Sequence, residues 1–226
     1  MSFFIINHHQ LCGSSGTGLL SIVLAPLVAH YTATDLPVLL PLIRKNMEYN
    51  LTPSQRSKVS IDDIDWTQLH NTPAHIRHKM FPFCAMSHCS PPEQILPERS
   101  TTRGQITLVQ PFTSGKQWPI DLILAVDCIY NPSLIAPLLD TINFLTSLNS
   151  HAAPRPEADN TTNVRPPAFP IVLIVLELRA ADVTREFLHA WLELPGIWEI
   201  WCIPLLGARF AMWVGRRRDL TSVTSS

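Results

Sequence analysis

Residues 120–132 read IDLILAVDCIYNP, and this stretch decides the fold class of the chain. Residues 120–126 are an apolar run that contains Asp121 and is followed by Asp127, which is the pattern of a strand buried in a parallel sheet. Residues 132–148 then have the pattern of a helix. Because a buried strand that leads into a helix is the repeating unit of α/β proteins, the sequence predicts an α/β domain around this strand.

Strand and helix patterns alternate on both sides of this unit. Strands are predicted at 31–35, 58–62 and 171–176, helices at 17–30, 37–50 and 181–194, and two final strands at 198–203 and 210–214. Strand-helix-strand units pair in parallel, whereas two strands with a short connection pair antiparallel. We therefore expect a three-layer, Rossmann-like α/β fold whose sheet is mostly parallel and ends in an antiparallel C-terminal hairpin.

Composition and charge indicate one globular domain. Of the 226 residues, 46% are hydrophobic and 15% charged, and the formal net charge is -1. A chain of this length can bury one core, so we expect a single domain, 1–226, with loop insertions at about 67–116 and 147–167 where prolines interrupt the periodicity. The near-neutral charge gives no general attraction to nucleic acid or membranes, and residues 216–218, three arginines, are interpreted as an exposed tail.

The cysteines and histidines predict neither a disulfide framework nor a metal site. The histidines and cysteines of the first insertion are His70, His75, His78, Cys84, His88 and Cys89. Zinc sites use regularly spaced pairs of ligands, which this cluster lacks. With no secretory leader in the sequence, we expect a cytoplasmic protein, with the nucleus as a second location.

A glycine-rich loop opens the first predicted helix. Residues 13–18 read GSSGTG, and glycines at a helix N-terminus let backbone N–H groups approach an anionic ligand. Asp35, which ends the next predicted strand, could accept hydrogen bonds from both hydroxyls of a ribose. Its alternative role is to cap the helix predicted from Pro37. Loop and acid together predict a cofactor that contains a nucleoside.

Residues 127–130, Asp-Cys-Ile-Tyr, carry a family resemblance. The sequence resembles the seven-β-strand protein-lysine methyltransferases with an Asp-x-x-Tyr signature, methyltransferase family 16, and within them the fungal ribosomal lysine methyltransferases. The resemblance covers residues 14 to about 218, and its other matching pieces are 15–20, 34–37, Asn46, Asn50, 65–66, 121–126 and 177–179. It implies a class I methyltransferase sheet and S-adenosylmethionine as cofactor.

The resemblance also implies a role for individual residues. It assigns cofactor binding to Ser15, Gly16, Thr17, Gly18, Asp35, Asp65, Trp66 and Val126, and catalysis to Asp127 and Tyr130. Gly16 and Gly18 would pack against the methionine part of the cofactor, Asp35 would hold the ribose, and Asp65 and Trp66 would border the adenine. Asp127 and Tyr130 would lie beside the sulfonium and the entering lysine. Because the carboxyl ends of parallel strands share one edge of a sheet, these residues should surround one crevice.

Three of these residues could instead serve the fold alone. Trp66 and Tyr130 could be ordinary core residues, and Asp127 could cap the helix predicted from Pro132.

The implied partner is a protein whose lysine side chain accepts the methyl group, a ribosomal or other translation-related protein, and the chain is expected to be a monomer. Two alternatives stay open. One is methylation of a small molecule or RNA, although RNA enzymes usually have Asn/Asp-Pro-Pro-Tyr/Phe at this strand end. The other is a catalytically impaired, truncated protein of the same fold that acts as a binding module.

The start of the chain departs from the family pattern. Cys12, Gly13 and Ser14 stand where the family has Glu-Leu-Gly, and residues 1–11 match the expected first strand poorly. We therefore expect a truncated N-terminus, a sheet without a proper central strand and a weakened cofactor site.

Overall fold

The computed structural model describes residues 9–13, 16–80, 120–148, 169–204 and 209–218. Its strands are β1 (His9–Gly13), β2 (His30–Asp35), β3 (Val59–Asp63), β4 (Ile120–Val126), β5 (Ile171–Glu177), β6 (Ile197–Pro204) and β7 (Phe210–Arg218). They form one sheet in the order β3-β2-β1-β4-β5-β7-β6. Strands β1 to β5 are parallel, and β7 lies antiparallel between β5 and β6. The predicted fold class is confirmed.

Helices cover both faces of the sheet. They are α1 (Leu19–Leu24), α2 (Leu40–Asn50), α3 (Pro53–Arg56), α4 (Trp66–Asn71), α5 (Ala74–Met80), α6 (Ile135–Leu148) and α7 (Ala181–Leu192), and a 3-10 turn, Pro132–Leu134, precedes α6. Buried residues of α2, including Ile43, pack with Tyr31 of β2 in one cluster. A larger cluster joins α6 and α7 to β4 and β5. None of the helices in the described ranges has both the length and the apolarity needed to cross a membrane.

Strand β1 corrects the expectation that the sheet lacks a proper central strand. Residues His9 to Gly13 pair in parallel with β2 on one side and with β4 on the other. Residues 9–13 therefore form the central strand through backbone pairing with two neighbours, although the side-chain pattern of residues 1–11 is a poor match to a strand.

Two predicted helix boundaries were wrong. The helix predicted at 17–30 ends at Leu24, because Pro26 has no backbone N–H to continue the helical hydrogen bonds. The helix predicted from Pro37 begins at Leu40, after a turn closed by a hydrogen bond from Leu39 N–H to the Leu36 carbonyl.

Two predicted loop segments also differ from the structure. The first insertion was predicted from residue 67, but 66–71 and 74–80 are helical, and the remaining parts of the two insertions, 81–116 and 149–167, lie outside the described residues. The predicted arginine tail belongs to β7, where Arg218 forms an ion pair with Glu199 and Arg217 lies over the Phe169 ring.

Gly215 of β7 gives a stability prediction. A Cβ at this position would lie 2.1 Å from Cζ2 of Trp191, and the Trp191 ring is fully buried between Phe187 and Trp198. We expect Gly215→Ala to lower the free energy of unfolding by about 1–3 kcal/mol, because overpacking a rigid core forces side chains out of their preferred positions. Urea denaturation measures the change. The double variant Gly215→Ala/Trp191→Phe has a smaller ring at position 191 and should recover part of the lost free energy of unfolding. A Gly215→Ala variant as stable as the wild type would contradict this packing.

Candidate active site

The carboxyl ends of β1 to β5 lie at one edge of the sheet because these strands are parallel. The chain runs outward from β1 to β2 and β3, and then returns to β4 on the other side of β1. Ligands of open α/β sheets bind in the crevice at such a reversal of strand order. The glycine loop follows β1 and Asp127 follows β4, so both lie beside this reversal.

Asp35 connects the end of β2 to the glycine loop. Its side chain is buried, and one carboxylate oxygen accepts a hydrogen bond from Gly16 N–H at 2.7 Å, while the other accepts one from Leu36 N–H at 2.8 Å. The suggested capping role of Asp35 is wrong, because the N-cap position of α2 is Leu39, four residues after Asp35. Two residues that the sequence predicted to surround one crevice, Gly16 and Asp35, are thus in direct contact.

The glycine loop is open on one side and tightly packed on the other. Gly16 and Gly18 have φ values of 54° and 80°, in the left-handed region that favours glycine. Among the described residues, apart from the chain neighbours of Gly16, no atom lies within 4 Å of a Cβ built on Gly16, whereas one built on Gly18 would lie 3.0 Å from Cγ2 of Ile43. Asn46 of α2 donates a hydrogen bond to the Thr17 carbonyl at 2.8 Å. Helix α2 therefore supports the loop and leaves the backbone at Gly16 accessible; Ser15 lies outside the described residues.

The segment after β3 lies next to Asp35. Ile64 N–H donates a hydrogen bond to the Asp35 backbone carbonyl at 3.2 Å. Asp65 caps α4, since its Oδ1 accepts hydrogen bonds from Thr67 N–H at 2.8 Å and Gln68 N–H at 3.1 Å. Trp66 is half-buried and packs against the core cluster of α6. The structure thus gives both residues a packing or capping role, and their contact with an adenine stays a prediction.

Asp127 has an unusual backbone conformation. Its φ of 50° is the only positive value of a non-glycine residue among the described residues. Its N–H donates to the Val175 carbonyl of β5 at 2.7 Å, directly after the half-buried Val126. Strained backbone of this kind occurs preferentially at functional sites. The suggested capping role of Asp127 is wrong, because Asn131 caps the 3-10 turn that follows.

The side chain of Asp127 belongs to an ion-pair network between the ends of β4 and β5. Arg179 Nη2 lies 2.9 Å from Asp127 Oδ2, and Arg179 Nε donates to Glu177 Oε2 at 2.7 Å. Arg209 Nη2 lies 3.5 Å from the other oxygen of Glu177. The hydrogen bond to Glu177, and then the charge of Asp127, raise the pKa of Arg179, so the guanidinium stays protonated.

Tyr130 is exposed, whereas the residues between it and Asp127 are not. Its side chain is 66% exposed, Cys128 is buried, and Ile129 packs against the core. The alternative that Tyr130 is a core residue is therefore wrong. Two inward-facing residues anchor the segment and leave Asp127 and Tyr130 facing solvent at the same edge of the sheet.

The histidine cluster is used in part for packing. His70 Nδ1 lies 2.6 Å from Asp140 Oδ2 and so joins α4 to α6. Arg77 donates hydrogen bonds to the carbonyls of His70 and Thr72. Within the described ranges, no group of three or more potential ligands is arranged to hold a metal ion; the side chain of His78 and the remaining members of the cluster, Cys84, His88 and Cys89, lie outside them.

The chain is similar in sequence or structure to several known methyltransferases. Mouse protein N-lysine methyltransferase METTL21A is 28% identical over 136 residues, which are 60% of this chain and 43% of the mouse protein, so the chain spans less than half the length of that relative. Among solved structures, mitomycin 7-O-methyltransferase MmcR has a TM-score of 0.51 at 10% identity and covers 96% of this chain and 51% of its own. The apo form of the S-adenosylmethionine-dependent methyltransferase SibL has a TM-score of 0.49 at 13% identity, over 94% and 51% of the two chains.

A family model described as lysine methyltransferase matches residues 11–97 and 109–155, more than half of the chain. This match includes the glycine loop, Asp35 and the end of β4, the same segments that meet at the edge of the sheet. The chain therefore belongs to the lysine methyltransferase family, whose methyl donor is S-adenosylmethionine.

Proposed function

We propose that the chain is an S-adenosylmethionine-dependent protein-lysine N-methyltransferase. The observation that carries the proposal is the position of Asp127, an exposed carboxylate on strained backbone directly after β4. It lies beside the reversal of strand order, where the glycine loop begins on the neighbouring strand β1. Membership of the lysine methyltransferase family and the name of the mouse relative support a protein acceptor.

The residues at this edge fit the cofactor. Each carboxylate oxygen of Asp35 accepts one backbone N–H and has a second lone pair, which can accept a hydrogen bond from a ribose hydroxyl. Within the described ranges no side chain covers Gly16, so that a ligand can approach its backbone closely. We propose that the methionine part lies against Gly16 to Gly18 and that the adenine lies toward Asp65 and Trp66.

The bound cofactor supplies a methyl group made electrophilic by the sulfonium sulfur. The chain then has to orient the acceptor nitrogen toward that methyl group and keep water away from it. Asp127 accepts a hydrogen bond from the acceptor amine and thereby fixes the direction of its lone pair. Tyr130, exposed three residues later, accepts a second hydrogen bond or borders the channel for the lysine side chain.

The acceptor class that we propose is a ribosomal or other translation-related protein, and labelling tests it. The full chain is incubated with a cell extract and S-adenosylmethionine labelled in the methyl group, with Asp127→Asn in parallel. We expect one or a few labelled polypeptides with the wild type, a strongly reduced signal with the variant, and methyllysine after hydrolysis.

Other outcomes of this labelling experiment separate the alternatives. A label that ribonuclease removes, or that enters small molecules, would assign a different acceptor. Cofactor binding without any transfer would favour the non-catalytic binding module.

A further inference from the structure

We propose that Arg179 is a specificity-determining residue, which occupies the carboxylate of Asp127 in the ligand-free chain and releases it to an incoming cation. This inference rests on the proposed function and deepens it, because it assigns a selectivity for charge to the same site. The cations concerned are the sulfonium of the cofactor and the ammonium of the acceptor.

Arg179 is held more firmly on one side than on the other. Its Nε and Nη2 both lie 2.7 Å from Oε2 of Glu177. A single contact, Nη2 to Oδ2 at 2.9 Å, joins it to Asp127. The Glu177 side chain is 21% exposed, whereas the side chains of Arg179 and Asp127 are 57% and 47% exposed. Glu177 therefore anchors the guanidinium, and the contact with Asp127 is the part that can open.

An exposed ion pair of this kind is weak. Exposed pairs contribute little to stability, because solvent screens the charges and the side chains lose conformational freedom. A ligand that brings its own positive charge to Asp127 can therefore replace Arg179 at little cost. A neutral ligand cannot make the same exchange, since it leaves the carboxylate without a countercharge.

Arg179 also sets the charge that a ligand meets. With Arg179 present, its positive charge lies between the two negative charges of Asp127 and Glu177. Without it, Glu177 keeps the contact with Arg209, but Asp127 loses its ion pair with Arg179. The crevice then carries more negative charge and attracts any cation more strongly. Such an excess of negative charge would favour the protonated ammonium of a lysine, which has no lone pair to accept a methyl group. The arginine thus limits how strongly the site holds a protonated acceptor.

Two ligands that differ in charge test this inference. S-adenosylmethionine carries a sulfonium, and S-adenosylhomocysteine has a neutral sulfur in its place. Calorimetric titration measures both dissociation constants. The quantity of interest is the dissociation constant of S-adenosylhomocysteine divided by that of S-adenosylmethionine. We expect Arg179→Gln to raise this ratio by about 3- to 10-fold at low salt, the size expected of unit charges several Å apart in a partly hydrated site. The increase should shrink at high salt.

Matched variants isolate the effect. Arg179→Lys keeps the charge and should keep the wild-type ratio. Arg185→Gln removes an equal charge from an exposed position of α7 and should leave the ratio unchanged. In an Asp127→Asn background, Arg179→Gln should have a smaller effect, because the carboxylate that it uncovers is gone.

Each remaining outcome counts against a specific statement. A ratio that changes less than twofold, or falls, in an Arg179→Gln variant that binds both ligands overturns the inference and leaves the proposed function standing. A wild-type chain that binds neither ligand overturns both. If Arg179→Gln does not fold, as judged by circular dichroism, Arg179→Met removes the charge with a side chain of similar length.

Discussion

Asp127→Asn is expected to lower the rate of methyl transfer by about 100-fold or more, the usual size of an effect on a group that orients the reacting atoms. Asparagine has nearly the same shape as aspartate and tolerates positive φ. The variant can therefore adopt the φ of 50° at this position. What it loses is the charge that attracts the acceptor and the second oxygen that accepts a hydrogen bond.

Initial rates with labelled S-adenosylmethionine and the labelled acceptor from the extract measure this effect. Asp182→Asn is the control, because it removes the same charge from an exposed position in the first turn of α7. We expect the control to keep its activity within about twofold, as for most surface substitutions. A rate for Asp127→Asn within threefold of the wild type would remove Asp127 from the mechanism.

Asp35→Asn is expected to weaken the binding of S-adenosylmethionine by about 10- to 100-fold, because each hydrogen bond to a charged group contributes about 1.5–3 kcal/mol. The substitution also replaces one acceptor oxygen by an NH₂ group. That group would face the N–H of either Gly16 or Leu36, which now donate to the two carboxylate oxygens. The variant thus loses both a ribose contact and the support of the glycine loop.

Calorimetry compares Asp35→Asn with Glu48→Gln, which removes one negative charge from an exposed position of α2. The control should bind the cofactor with wild-type affinity. Equal affinities for all three proteins would show that the ribose is held elsewhere.

The sequence predicted some strands better than others, for a physical reason. Strand β4 was predicted to the residue, because its apolar run is buried on both faces and Asp127 directly follows its end. Strand β7 extends to Arg218, four residues past its predicted end at Val214. Its last residue, Arg218, pairs with Ile197 of β6, and a local pattern contains no information on that cross-strand partner.

The same distinction holds for the site. The contact between Gly16 and Asp35 follows from the parallel pairing of β1 with β2, and the sequence predicted that both residues would lie around one crevice at the ends of parallel strands. The contact between Asp127 and Arg179 joins residues 52 positions apart, and the sequence pattern indicated no role for Arg179, although residues 177–179 matched the family. The signal was an acid-arginine pair at the end of β5, beside the strand that ends in Asp127. The roles of Asp127 and Tyr130 came from the family resemblance and stay predictions.

The central claim is that the cofactor binds at the carboxyl edge of β1, β2 and β4, and hydrogen exchange followed by mass spectrometry tests it most directly. On addition of S-adenosylmethionine to the full chain, we predict slower exchange in peptides that contain Gly16 to Gly18, Asp35 to Leu36 and Asp127 to Tyr130. Peptides from β6, at the far edge of the sheet, should exchange as before. Protection confined to other segments, or no change at a saturating cofactor concentration, would contradict the claim.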